Sequence, residues 1–232
     1  MKYTLLLRLK APLQSWGMSS RFSIRDTAKE PSKSGVIGLL CAALGIARDD
    51  ANTNNPTFIE LTKLKFGVRI NQEGVMQKDY HTAQYIAKAD GGIKETELST
   101  RWYLADADFL IGLESEDLAF LEDLQNALKN PKWQLFLGRK AFVPSMPVYL
   151  PTGVVQNQGL DDVLSDFELA NISNQGKRIV LENERGSEVR QDVPLCLKTR
   201  RFTIRRVETK FIEVKGGEKD DGNISDENDS ES

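Results

Sequence analysis

The segment KYTLLLRLK, residues 2–10, is apolar on both faces at its centre, which is typical of a strand in the middle of a sheet. Further along, residues 35–46 (GVIGLLCAALGI) repeat apolar side chains at helical spacing, and Ser32 or Ser34 is a suitable N-cap. Residues 64–71 (LKFGVRIN) alternate like a half-buried strand. These segments predict a strand, a helix and a second strand.

The same order of elements recurs in the middle of the chain. Residues 106–113 (DADFLIGL) predict a strand, and Ser115 is expected to cap a helix that ends before Pro131. Residues 134–137 are then the predicted return strand. Two strand–helix–strand units predict an α+β fold with a ferredoxin-like (RRM-like) domain over residues 1–150. The apolar stripe of the second helix consists of Leu118, Leu121, Leu124 and Leu128.

A segment over about residues 72–104 is inserted between the two middle strands of this domain. Within it, residues 80–87 and 93–104 flank Asp90-Gly91-Gly92, a strong turn signal, so we predict an extended β-hairpin. A long hairpin without its own core must lie against something. A partner protein, RNA and the parent sheet all remain open.

The last third of the chain has weaker patterns. Residues 151–215 predict a smaller β-rich region, with a short helix near 160–167 and strands at 177–182 and 201–214. Residues 216–232 contain seven acidic side chains, one lysine and almost no apolar residues. Such a segment cannot offset the entropy of ordering, so we predict a disordered acidic tail.

The net charge of −3 is misleading because the acidic side chains are concentrated in that tail. The rest of the chain has a net charge of +3, and residues 198–215 carry seven Lys or Arg against two Glu. This density suits contact with phosphates, although a solvated strand edge would look the same. The opposite charges alone also motivate the hypothesis that the tail shields the basic face before assembly.

The sequence gives no indication of export, a membrane span or a metal site. Arg8 and Lys10 interrupt the apolar start before it reaches the length of a signal peptide core, and no other stretch approaches a membrane span. Cys41 and Cys196 lack the spacing of a zinc or redox motif. We therefore expect a cytoplasmic protein with reduced thiols, no metal and no other cofactor.

Aromatic and basic side chains alternate in the predicted loop over residues 11–25. Trp16, Arg21 and Arg25 form a combination that can stack unpaired bases and neutralise phosphates. Alternatively, Trp16 pins this loop in the core, and the two interpretations are compatible.

Two other segments are candidate phosphate contacts. Lys33 and Ser34 lie at the predicted start of the first helix, where free N–H groups and the helix dipole attract anions. The glycines that follow could instead serve close helix–sheet packing. Arg139 and Lys140 form a second basic turn after the predicted return strand, and an exposed turn without a role is as plausible.

His81, the single histidine of the chain, raises the question of catalysis. Cleavage of RNA without a metal needs a base for the 2′-hydroxyl and an acid for the leaving oxygen, so His81 with Tyr80 or a nearby lysine could serve. A lone histidine is more often structural. A metal-independent endoribonuclease therefore stays the second interpretation.

Five motifs, in this order, resemble one known family: the CasD family of type I-E CRISPR Cascade, within the RAMP superfamily of RNA-binding proteins. The first two, LLRLKAPLQSWG and PSKSGVIGLLCAALGIARDD, are the most specific, and the similarity spans roughly residues 5–215. The acidic tail has no counterpart in the family pattern. The motifs are residues 6–17, residues 31–50, Asp79-Tyr80-His81-Thr82, Thr100-Arg101-Trp102-Tyr103 with Ala105-Asp106-Ala107, and residues 136–140.

The resemblance implies a ferredoxin-like palm with a thumb hairpin, in a non-catalytic subunit of an antiviral ribonucleoprotein. Such a subunit caps the 5′ handle of the CRISPR RNA (crRNA), joins a CasC-type backbone subunit to a CasA-type large subunit, and meets target DNA only through the complex. Tyr80, His81 and Arg101 fall on the hairpin stems, where the family meets RNA and neighbouring subunits. Type I-C relatives instead cut RNA with Tyr, Lys and His. A purely structural subunit that contacts only protein is the third possibility.

Overall fold

The computed structural model describes residues 1–17 and 23–213 of the chain. The acidic tail and Arg21 lie outside these residues. Among the described helices, none is long and apolar enough to cross a membrane. Within the described ranges the elements are β1 (Tyr3–Lys10), β2 (Leu13–Gln14), β3 (Ile24–Arg25), α1 (Lys33–Leu44), α2 (Pro56–Lys63), β4 (Lys65–Gln72), β5 (Val75–Ala87), β6 (Ile93–Ala105), β7 (Asp108–Ser115), α3 (Leu118–Lys129), β8 (Tyr149–Gln156), α4 (Leu160–Asp166), β9 (Arg178–Glu182), β10 (Glu188–Cys196) and β11 (Arg201–Phe211).

A large antiparallel sheet with the strand order β10-β11-β9-β4-β7-β1-β8 forms the centre of the protein. Helices α1 and α3 cover one face over the main core, and α4 packs on the other face against β4 and β7. Strand β1 lies between β7 and β8 and buries Leu5 on the main core and Leu6 beneath α4. The prediction of a central strand that is apolar on both faces is therefore confirmed.

The predicted combination of helices with antiparallel strands is also confirmed, but the predicted return strand at residues 134–137 is wrong. Leu137 is buried there, yet its backbone N–H donates to Phe142 and its carbonyl accepts from Ser15, so the segment is a turn. Strand β8 pairs with β1 instead. The boundary predicted after residue 150 consequently falls inside β8, and β9 to β11 extend the same sheet.

Strands β5 and β6 form the predicted hairpin, which begins earlier than expected, at Val75. Its turn closes through a hydrogen bond from the Lys88 N–H to the Gly92 carbonyl, and Gly91 has a φ of 82°. The outer edge of β6 pairs with the short strands β2 and β3, within the region predicted as a loop. The base of the hairpin is thus part of a second, four-stranded sheet.

The helix caps partly follow the predictions. Ser32, one of two candidates, caps α1 by accepting from the Gly35 N–H. Asp117, and not Ser115, caps α3, because its side chain accepts from the Phe120 N–H, whereas the Ser115 hydroxyl accepts from the Asp117 N–H just before the helix. Helix α2, which begins after Asn55, was not predicted.

A buried carboxylate connects the start of α1 to the last two strands. Asp192 of β10 accepts from the Lys33 N–H at 2.8 Å and from the Arg205 guanidinium of β11 at 2.7 and 2.9 Å. Both side chains of the Asp192–Arg205 pair are almost fully buried. The pair therefore has little access to water that could replace a lost partner.

We expect Asp192→Ala to lower the free energy of unfolding by about 3–5 kcal/mol, because Arg205 would remain charged, buried and unpaired. As a control, Asp49→Ala breaks an exposed pair with Lys198 and should cost about 0–1 kcal/mol. Urea unfolding monitored by circular dichroism measures both. Equal losses in the two variants would contradict this role of Asp192.

Candidate nucleic-acid interface

The loop after β1 is held by the buried side chain of Gln14. Its Nε2 donates to the carbonyls of Leu9 and Ala107, and its Oε1 accepts from Trp16 Nε1. The Trp16 ring packs against Gly35, where an added Cβ would lie 2.9 Å from the ring. Trp16 is 2% exposed, so the prediction that it stacks on a base is wrong, whereas its alternative role as a core anchor is confirmed.

A turn at Gly138 brings the predicted basic pair to the base of the hairpin. Gly138 has a φ of 96°, and a Cβ at this position would collide with the Ser15 carbonyl oxygen. The Trp102 carbonyl of β6 accepts from the Ser15 hydroxyl at 3.4 Å and from the Arg139 guanidinium at 2.8 Å. The loop after β1, the hairpin and this turn therefore meet at one point.

Three arginines are close together beside this junction. Arg25 lies opposite Arg101, and Arg101 lies opposite Asp79 on the next strand. The side chains of Arg25, Arg101 and Asp79 therefore lie on one face of the small sheet. Burial lowers the pKa of the Arg139 guanidinium, the charges of Arg101 and Arg25 lower it further, and Asp79 opposes them. The structure thus brings together Arg25, Arg101 and Arg139, all predicted from the sequence.

The predicted phosphate site at the start of α1 is wrong for Lys33. Its ammonium group is buried and pairs with Glu182 at 2.9 Å, and burial lowers its pKa against the attraction of that carboxylate. Its N–H already donates to Asp192. Protein carboxylates therefore occupy the positions that a phosphate would take, although Ser34 does line the cavity described next.

A cavity of about 460 Å³ opens beside the arginine cluster. Its described lining has one acidic residue, Asp26, against four arginines, together with four aromatic residues. Trp133 is among the exposed aromatic residues. Such a lining can stack an unpaired base and hold its phosphates at the same time. The basic and aromatic residues are Arg25, Arg48, Arg139, Arg200, Trp16, Trp133, Phe136 and Phe202.

Sequence reasoning missed several of these lining residues. Arg200 falls in the basic run over residues 198–215, which was noted for its charge density only. Arg48 and Phe136 lie within two motifs of the resemblance but were not predicted as contacts, whereas Trp133 lies outside the motifs. They join the cavity because α1, the segment after α3 and the start of β11 converge there.

The hairpin residues Tyr80 and His81 do not share a surface. Neighbouring residues of a strand point to opposite faces, so His81 lies with Asp79 on the arginine face and Tyr80 on the other. His81 Nε2 is 2.5 Å from Asp79 Oδ2. Lys140 is exposed next to Arg139 but does not line the cavity.

The face of the small sheet that carries Tyr80 exposes several apolar side chains, with Lys78 and Thr82 beside them. Tyr80 pairs with Thr100, which pairs with Ile24, and these outer residues are 64% and 60% exposed. Leu98 is an exposed neighbour on the same face. The hairpin base therefore has one face with clustered arginines and one face with exposed apolar side chains.

Comparisons with known proteins agree with one another. The family model described as CRISPR-associated protein (Cas_Cas5) matches residues 4–208. The CRISPR system Cascade subunit CasD of Escherichia coli (strain K12) is 31% identical over 164 residues, which are 66% of this chain and 72% of that protein. A solved Cas protein is 39% identical with a TM-score of 0.72, covering 90% of this chain and 95% of its own. A chain of a CRISPR RNA-guided surveillance complex is 32% identical with a TM-score of 0.71, covering 91% and 90%.

We expect Gly138→Ala to destabilise the protein and weaken RNA binding, because the new Cβ must displace either the Ser15 loop or the turn that carries Arg139. Gly91→Ala is the matched control, since Gly91 also has a positive φ but nothing lies near its Cβ position. It should cost only the backbone strain, about 1–2 kcal/mol. Urea unfolding and RNA titration compare the variants. If Gly91→Ala lost as much stability and as much RNA affinity as Gly138→Ala, the role of this close contact would be refuted.

Proposed function

This chain belongs to the Cas5 family of CRISPR-associated proteins, and on that basis we propose that it is an RNA-binding subunit of a CRISPR RNA-guided surveillance complex. In this proposal the cavity holds unpaired nucleotides of the crRNA 5′ handle. The observation that carries it is the cavity lining, which combines four arginines with the exposed ring of Trp133 and the partly buried rings of Phe136 and Phe202. The relatives described above are themselves a Cascade subunit and a chain of such a complex.

The size and charge of the cavity support single-stranded RNA as the ligand. A volume of about 460 Å³ accommodates a nucleotide but excludes a duplex. Arginine guanidiniums bind phosphates in a bidentate manner, and aromatic rings stack on bases of any identity. Base-edge contacts that select the handle sequence would then come from polar groups such as Ser34 and Asp26 in the lining.

We assign the order β8-β1-β7-β4, with α1 and α3 on one face, to a ferredoxin-like palm, and we assign β5 and β6 to its thumb. The support is the order of the strands, which matches a split βαβ unit with a hairpin inserted between its middle strands. In this assignment the thumb base contributes Arg101 to the RNA site.

The two faces of the hairpin base support a linking role between subunits. The face with Arg101 and Arg25 suits RNA, whereas Tyr80, Ile24 and Leu98 on the other face expose apolar area that suits a protein surface. We propose that this apolar face contacts a CasC-type backbone subunit. Contact with a CasA-type large subunit is also part of the proposal.

The surroundings of His81 support a role without catalysis. An acid and a base that cleave RNA must both reach one phosphodiester. Tyr80 points away from the face that His81 shares with Asp79, so these two neighbours cannot act on one group without a rearrangement of the strand. A metal-independent endoribonuclease is the alternative that the next experiment tests.

The purified chain, incubated with labelled repeat RNA in EDTA, should retain the RNA on a native gel and leave it intact on a denaturing gel. His81→Ala should change neither result, because His81 has no catalytic role in the proposal. Cleavage that disappears in His81→Ala would establish the nuclease instead. Loss of both binding and cleavage in the folded wild-type chain would favour a subunit that contacts only protein.

The affinity for handle RNA should fall steeply with salt, and Arg25→Ala should reduce the slope of log K against log salt by about 0.7–1 unit, which corresponds to one lost phosphate contact. Arg185→Ala is the matched control, because it removes the same charge from the turn between β9 and β10, outside the cavity lining. It should leave the slope unchanged. Equal slopes for wild type and Arg25→Ala would remove Arg25 from the site.

A further inference from the structure

The last strand of the large sheet begins at the cavity and leads away from it. Arg200, just before β11, and Phe202, near its start, line the cavity, and the strand continues to Phe211. At about 3.3 Å per residue, the end of β11 lies roughly 33 Å from the cavity. The C-terminal segment, residues 214–232, starts from this far end.

The charges of this segment and of the cavity are opposite. Three acids, Glu218, Asp220 and Asp221, follow soon after β11, and a second group, Asp226, Glu227, Asp229 and Glu231, comes near the end of the chain. The described lining of the cavity has four arginines and one acid. Carboxylates can bind guanidiniums in the same bidentate geometry as phosphates.

We propose that the distal acidic group, Asp226 to Glu231, docks on the cavity arginines in the RNA-free protein and is displaced by RNA. The proposal rests on the proposed function, because it concerns regulation of that RNA site. The occupant is the chain's own C-terminal segment. RNA that offers only its phosphates must compete with these carboxylates, whereas cognate RNA also gains base contacts that the segment cannot supply.

The length of the segment determines which acids can reach the cavity. From Glu213 to Asp226 the extended chain spans at most about 43–47 Å, enough to return along the length of β11. From Glu213 to Asp221 it spans at most about 26–29 Å, which falls short of the roughly 33 Å required. The backbone at the distal acids therefore reaches the cavity with length to spare. The backbone at the proximal acids stops short of it even when fully extended, which strongly disfavours docking of these acids.

Two full-length variants with the same change in charge test this difference. The distal variant is Asp226→Asn, Glu227→Gln, Asp229→Asn, and the proximal variant is Glu218→Gln, Asp220→Asn, Asp221→Asn. In low salt we expect the distal variant to bind non-cognate single-stranded RNA severalfold more tightly than wild type. The proximal variant should stay close to wild type, and the difference should vanish in high salt, where screening is complete within a few ångströms.

If both variants gained the same affinity for non-cognate RNA, the effect would come from net charge alone, and docking would be overturned. Docking would also be overturned if neither variant gained affinity. Cognate handle RNA, titrated in parallel, tests the proposed function separately.

A second readout needs no RNA. An arginine-specific reagent such as phenylglyoxal, with mapping by mass spectrometry, should modify Arg25 and Arg200 severalfold faster in the distal variant than in wild type or the proximal variant. Arg185, outside the cavity lining, should react equally in all three proteins. Equal rates at Arg25 and Arg200 would overturn the docking even if the cavity binds RNA as proposed. Protected arginines in a protein that fails to bind handle RNA would overturn only the proposed function.

Discussion

The close contact between Gly138 and the Ser15 carbonyl fixes the relative positions of three segments that are far apart in sequence. It joins the loop after β1 to the turn that carries Arg139, and both bond the Trp102 carbonyl of the hairpin. Burial lowers the pKa of Arg139, and repulsion from Arg101 and Arg25 lowers it further. Backbone packing must therefore hold them together, and an anion that enters the cluster relieves the repulsion.

A second constraint is that side chains of the protein already occupy the start of α1, so an anion must bind elsewhere. Free N–H groups at a helix N-terminus attract phosphates, but here Asp192 accepts from the first N–H and Ser32 from a later one. Asp192 also binds Arg205 of β11, the strand whose first residues border the cavity. The helix start thus helps to hold β11 in place, and the exposed arginines remain as the groups available to RNA.

The elements that could be predicted from the sequence are those with a strong local pattern. Strand β1 and helix α1 carry continuous apolar runs, and the hairpin has a turn at Gly91 that few other residues could adopt. Strand β8 was missed because it is an edge strand without clear alternation, whereas the buried Leu137 suggested a strand that does not form. Helix α2 did have a signal in Asn55-Pro56, an N-cap followed by proline at the first helical position.

Lys33 and Arg139 explain why the site was only partly predictable. Both are basic residues in motifs of the resemblance, but Glu182, which neutralises Lys33, is 149 residues away in sequence and no local pattern could reveal it. A buried ammonium needs such a partner, because desolvation of an unpaired point charge is costly. Arg139 can be half buried, donate to the Trp102 carbonyl and still have other N–H groups to offer, since a guanidinium carries five donors. Of these two residues, the structure therefore leaves only Arg139 free to meet a phosphate.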